Sequence, residues 1–203
     1  MKKIIIDENF EGLMKVGSWY KYEGDILVEK KVEIKINLQV TGRLEVSGSL
    51  EVSGSLEVGE RLEVGEWLTV GGRLEVSGSL EVGESLEVGE FLDVGELLKV
   101  GEWLTVREYL KVGGRLEVGG SLKVGGRLEV GEIKSINGVK TKSIKIIHGF
   151  DYIIWVMDNH IRIGCQQHSK KCWSGYDNKE IFAMDGKRGL KFWNKNKEWL
   201  LRI

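Results

Sequence analysis

Apolar positions from Leu38 to Val130 follow one rule: Leu-x-Val recurs sixteen times at intervals of six residues. Val32-x-Ile34 and Ile26-x-Val28 carry the rule backwards, so eighteen hexads begin between Ile26 and Leu128. Two apolar residues flanking a polar one show the strand period of two, which sends both to one side and the middle residue to the other. The next three residues are mostly Gly-Glu-x, Ser-Gly-x or Gly-Gly-x, which is turn chemistry. A strand this short cannot bury its face alone, whereas stacked repeats share one continuous interior. The pattern predicts a mainly β chain dominated by a parallel β-helix with columns of Leu and Val inside.

Charge decides how many hexads make a coil. At 18 residues per coil, Lys99 stacks between Glu81 and Glu117, and Lys111 between Asp93 and Glu129. Two hexads per coil would instead stack Lys99, Lys111 and Lys123 on one another, and like charges on neighbouring strands destabilise a sheet. Three hexads per coil gives six coils and a rod roughly 29 Å long at about 4.8 Å per coil. The repeat leaves the hand of the helix open.

After Val130 the period fails. Strands are expected at 143–148, 152–157 and 160–165, the last two joined by a turn at Asp158-Asn159. Two helices are expected with Asp177 and Asp185 as N-caps, the second running to about Leu201 with Leu190, Trp193, Lys197 and Leu200 on one face. The expected organisation is an N-terminal cap over 1–25, the hexapeptide-repeat β-helix over 26–133, and a small α+β domain over 134–203 that caps the rod.

Net charge separates these parts. The chain totals −1, yet residues 1–133 hold 16 Lys or Arg against 25 Asp or Glu, and residues 134–203 hold 14 against 6. Proline is absent, so every residue can donate to a backbone ladder. The start, MKKIIIDENF, has too short an apolar run for a signal peptide or membrane span, and a cytoplasmic protein without a membrane partner is expected. The two cysteines imply no disulfide framework.

Candidate chemistry is sparse. Residues 26–131 contain no histidine and no insertion, which leaves the rod without a general base or the walls of a cleft. The outward residue before each Leu is mostly Ser or Arg, but becomes Trp67, Phe91, Leu97, Trp103 and Tyr109. Exposed aromatics of this kind anchor interfaces, so these five are the candidate partner-binding residues, against the plainer reading of scattered surface aromatics. The ladder Glu45, Glu63 and Glu81 reads as a solvated face or, more sharply, as a mimic of nucleic-acid phosphates, an idea diluted by Arg43, Arg61 and Arg73.

In the tail, His160, Cys165, His168 and Cys172 form a chemically competent zinc set, although H-x4-C-x2-H-x3-C is not a standard finger spacing. The same residues read equally as ordinary core and surface groups, and no other cofactor is implied. Lys187, Arg188, Lys191 and Lys195, with Lys197, form a basic helix surface able to touch phosphate, so a nucleic-acid partner through the tail is the second expectation after a protein partner.

Val-Gly-Glu-x-Leu-x, as in Val58–Glu63, resembles the hexapeptide repeat of left-handed β-helix proteins, many of them acyltransferases. This chain departs from them in placing Leu where that family prefers small residues. The run also resembles the bactofilin-type polymer-forming proteins, whose helix is right-handed. Hexads followed by a tail such as DNHIRIGCQQHS resemble small phage-encoded proteins of unassigned function. Together these readings point to a non-enzymatic binding protein, and the last resemblance implies a phage-encoded factor engaging or inhibiting a host or defence component by its rod surface and basic tail. A bactofilin-like filament former, with homo-oligomers, is the alternative, and a binder of a small nucleotide signal the third.

Overall fold

Each Leu-x-Val triplet from Leu38–Val40 to Leu86–Val88 is a three-residue strand whose end residues are buried and whose middle residue reaches solvent. The structure is a computed structural model that describes residues 4–136, 139, 141, 144–147 and 151–202. The chain divides into two compact units, Met1–Lys140 and Thr141–Ile203.

In the first unit, hexads pair in parallel with the third hexad along, as in Leu44↔Leu62, Leu62↔Leu80 and Leu80↔Leu98. A coil is therefore 18 residues, the separation also spanned by the Gln39–Glu57 side-chain bond. Three faces result. One is a 7-stranded sheet running from Ile4–Ile6 through Val32–Ile34 to Leu122–Val124. The other two carry the remaining hexads and join as a single 13-stranded sheet, because the strand Tyr109–Val118 runs through a corner and pairs with both Phe91–Val94 and Leu97–Val100.

The charge argument for three hexads per coil holds in detail. Lys99 lies between Glu81 and Glu117, and Lys111 between Asp93 and Glu129. Lys111 Nζ is 2.9 Å from Asp93 Oδ2, and Lys99 Nζ 3.5 Å from Glu81 Oε2. Inside, the columns from Val32 to Val124 are almost without solvent exposure, each side chain contributing roughly 2 kcal/mol by burial against the entropy of ordering it, whereas Leu128 and Val130 of the last repeat are half-buried.

Segment 1–25, expected as a cap, also enters the ladder. Ile4–Ile6 pairs with Val32–Ile34, and Trp19–Tyr22 pairs with Leu38–Val40, while Met14–Val16 folds antiparallel onto Trp19–Tyr22. At the far end the ladder continues past residue 133. The strand Arg127–Ile136 follows Tyr109–Val118 through two register shifts, where the sequence has lost the hexad phase.

Turns set a second constraint. A Cβ added to Gly101 would lie 1.9 Å from the carbonyl oxygen of Gly83 in the coil below, and one on Gly119 would lie 1.9 Å from that of Gly101. At Gly101 and Gly119 a side chain would require the backbone of the coil below to move, although an earlier coil places Ser47 at the same corner.

The second unit is a four-stranded antiparallel meander, Ile144–Ile147, Ile154–Met157, His160–Ile163 and Gln166–Ser169, followed by helices α1 (Lys170–Gly175) and α2 (Asn178–Leu200). Residues 143 and 148 of the first expected strand lie outside the described residues. The fourth strand and α1 were not foreseen. Ser169 caps α1 by accepting the Cys172 N–H at 3.1 Å. Asp177 caps α2 in a reciprocal box with Glu180, as its position predicts. The expected boundary between two helices at Asp185 is present: α2 consists of two helical segments that meet where Asp185 and Gly186 leave helical geometry, Gly186 at φ +58, and the Asp185 carboxylate accepts the Tyr152 hydroxyl. Phe192, Trp193 and Leu200 of α2 pack with Trp173 and the sheet residues Ile154 and Ile161, whereas Lys197 of the expected apolar face is exposed.

Two substitutions test this architecture. Leu86→Asp would strand a carboxylate in a dry column and should lower unfolding stability by about 3 kcal/mol or more. Gly101→Val should also destabilise, whereas Glu87→Gln on the outward side of the same face should not. Chemical denaturation of the three variants reads the comparison, and parental stability in Leu86→Asp rejects the described interior.

Candidate interaction surfaces

Outward positions stack in columns, since residues 18 apart are neighbours on adjacent coils. Trp67 and Trp103 share one column, where the residues in order are Lys31, Ser49, Trp67, Ser85, Trp103 and Ser121. Large and small residues thus alternate, and each indole has serines above and below it. Both indoles remain exposed, Trp67 by 51% and Trp103 by 58%.

Phe91 and Tyr109 lie together on the next face as direct strand partners, their rings 6.4 Å apart at 68°. Tyr109 donates to Glu129 Oε2 at 2.7 Å, and that bond to a carboxylate raises the phenol above its ordinary pKa. Leu97 stands on the third face beside Arg115, half-buried. The five candidates therefore occupy three columns and do not form one patch. Consecutive hexads turn the corner of the coil, so adjacency in sequence separates them in space.

The expected acidic ladder stacks in register, Glu45↔Glu63↔Glu81. Arg61 Nη2 lies 2.8 Å from Glu63 and 3.1 Å from Glu81, and Arg43 is 2.7 Å from Asp25 and 3.9 Å from Glu45. Hydrogen bonds from Arg43 hold Asp25 below its ordinary pKa. Cations of the rod itself meet this ladder, which removes much of its resemblance to a line of phosphates.

A different acidic column went unnoticed in the sequence. Glu66, Glu84 and Glu102 precede Trp67, Ser85 and Trp103, and their backbones stack, Glu84 N–H donating to Glu66 O at 3.0 Å and Glu102 N–H to Glu84 O at 2.7 Å. Lys31 Nζ reaches this column, 3.7 Å from Glu66 Oε2 and 5.2 Å from the centroid of the Trp67 ring. The signal lay in the alternation of large and small residues at intervals of one coil, visible only after the coil length is fixed.

In the second unit the proposed zinc set is not assembled. His160 pairs with Ser169 and Ile161 with His168, and cross-strand partners share a face while successive residues alternate, so His160 and His168 point to opposite sides of the sheet. His168 lies edge-on to Trp173 and Tyr176, with Nδ1 3.1 Å from the Tyr176 hydroxyl, and burial lowers its pKa. Cys165 and Cys172 are both free and exposed. Among the described residues no three His, Cys, Asp or Glu side chains gather in a group able to hold a metal ion.

The basic helix surface survives in part. Lys187, Lys191 and Lys195 are exposed at successive turns of α2, one stripe at a spacing of four residues. Arg188 is engaged, donating to Asp151 O at 2.8 Å with its guanidinium 5.0 Å from the Tyr152 ring.

Comparison with protein-family models, with curated proteins and with solved structures finds no match. Among the described residues no helix is long and apolar enough to cross a membrane.

Tyr152 gives a measurable electrostatic signature. Burial first, then its bond to Asp185, pushes its pKa up to about 12. The unfolded value is about 10, so the stabilising contribution is intact below pH ~10 and is lost as pH rises through the folded value. The tyrosinate absorbance titration of the protein minus that of Tyr152→Phe should show a midpoint near 12, and a midpoint near the unfolded value rejects the Tyr152–Asp185 bond.

Proposed function

We propose that this chain is a non-enzymatic binding protein that engages a protein partner through the solenoid corner bearing Trp67 and Trp103. The observation that carries this reading is the exposure of two indoles on one column of a rigid framework whose interior does not need them. Tryptophan is the side chain most often dominant in interfaces, and a preorganised surface loses little conformational entropy on binding. The rod offers no histidine between residues 26 and 131 for acid–base work, which favours binding over catalysis. The lysine stripe of α2 is a second, phosphate-compatible contact surface on this reading.

Serine already stands at Ser49, Ser85 and Ser121 of the same column. Replacing Trp67 and Trp103 together by Ser should therefore leave the denaturation midpoint near the parent's while weakening partner binding by roughly 2 kcal/mol or more. Co-purification from the native cell with quantitative mass spectrometry, repeated with the double variant, reads the effect. Partners retained at parental levels by the variant reject this corner as the interface.

A second reading, a self-associating structural rod, is favoured by the first coil. Leu27 and Ile5 occupy outward middle positions that later coils fill with Glu45 and Glu33, and they are 63% and 42% exposed, alongside Met14 and Val16. Among the described residues, the strands Ile4–Ile6 and Ile26–Val28 each have one neighbour. Such exposed apolar strands recruit further chains. Sedimentation equilibrium should show oligomers of the parent that dissociate in Leu27→Glu, and a parent that stays monomeric at high concentration ends this reading.

A further inference from the structure

The column beside the tryptophans contains its own template for a ligand. Lys31 places its ammonium 5.2 Å from the centroid of Trp67 and 3.7 Å from Glu66 Oε2, while Ser49 Oγ donates to that same carboxylate oxygen at 2.6 Å. An indole face and a carboxylate together hold a cation, the first through the ring quadrupole and the second through charge. Two coils further along, Glu102 and Trp103 repeat Glu66 and Trp67, with Ser85 standing where Ser49 stood. Here the position equivalent to Lys31 is Trp67 itself, so the second copy has the acceptor pair without the lysine. Glu102 and Trp103 are exposed, and among the described residues no cation pairs with the Glu102 carboxylate.

Charge around this pair points the same way. Of the three corner columns, the one through Gly48, Glu66, Glu84, Glu102 and Gly120 stacks three glutamates in succession, whereas a second stacks two, Glu90 and Glu108, and in the third Glu60 and Glu96 are separated by Gly78. Stacked like charges oppose sheet pairing. On a neighbouring face Arg43, Arg61 and Lys99 between them reach Glu45, Glu63 and Glu81, but in this column Lys31 reaches only the first of the three. Residues 36–133 are also strongly acidic, which concentrates cationic partners near the surface.

We infer that Trp103 and Glu102, flanked by Glu84, bind a lysine or arginine side chain of a basic partner segment in the way Trp67 and Glu66 bind Lys31. This inference rests on the reading of that corner as a protein-binding surface and names the chemistry of the partner. An alkyl-stemmed cation suits the pair better than a bare metal ion, because its methylenes cover the indole while its charged head reaches the carboxylate.

The probe is a peptide carrying three lysines separated by glycine and serine, with its fully lysine-acetylated counterpart, titrated into the full chain at low ionic strength. The indole N–H resonance of Trp103, assigned by its loss in Trp103→Ser, should move with the lysine peptide and stay still with the acetylated one. Affinity should fall by about threefold in Trp103→Ser and again in Glu102→Gln, while Glu87→Gln, which removes an equal charge from the same face, should change it less. Equal affinity across the three variants means diffuse attraction and overturns the inference, as does an unmoved Trp103 resonance. If the peptide result is negative but the double tryptophan variant still loses its partner, the corner is an interface for uncharged groups, and the binding reading stands without this one. If the partner is also retained, both fall.

Discussion

Everything in the solenoid depends on backbone hydrogen bonds that join each residue to the one a full coil away. Leu44 N–H donates to Arg61 O at 2.9 Å and Gly59 N–H to Val40 O at 2.8 Å, and the same bonds recur from coil to coil. Because the ladder is parallel and in register, like sits on like: Leu on Leu, Val on Val, corner on corner. An interior of columns follows, and so does a surface on which every outward residue has a fixed neighbour above and below. The absence of proline leaves no missing donor in that ladder.

Register also explains why the surface can be informative while the interior is monotonous. The Leu and Val columns are satisfied by any coil, so they carry no individuality. Outward residues are free to vary within two limits. Stacked acids need cations within reach, as Arg61 and Lys99 supply to Glu63 and Glu81, and bulky groups need either a small neighbour, as Trp67 and Trp103 have in Ser85, or a ring to pack on, as Phe91 has in Tyr109. In the stack of Glu66, Glu84 and Glu102 a cation, Lys31, reaches Glu66 alone, and that stack adjoins Trp67 and Trp103.

The coil was legible in the sequence because both its signals are local and repeated: a period of six in apolar residues, and a charge register that works only at three hexads per coil. The interaction surface was half legible. Trp67, Phe91, Leu97, Trp103 and Tyr109 stand out by type, but their grouping depends on which face each hexad occupies, so hexads adjacent in sequence misled. Lys31 and Glu66 did not stand out at all, since each looks ordinary until the coil brings them to Trp67. In the second unit there is no repetition to average over. Alternation across one strand pair separates His160 from His168, and the carboxylate of Asp185, whose position did mark the break between two helical segments, also accepts the Tyr152 hydroxyl. Such outcomes turn on single pairings that composition and spacing do not fix.

The close stacking of glycine corners has a bearing on how such a chain can change length. Gly101 lies against the Gly83 carbonyl and Gly119 against that of Gly101, so each coil presents to the next the same bare backbone it received from the one before. A duplication or loss of one whole coil meets matching surfaces on both sides and keeps every face in phase. A change of a single hexad between coils rotates all later residues by one face and exchanges their column partners, parting pairs such as Lys99 with Glu81 or Lys111 with Asp93. A whole coil of three repeats is therefore the step in length that leaves every column partner in place.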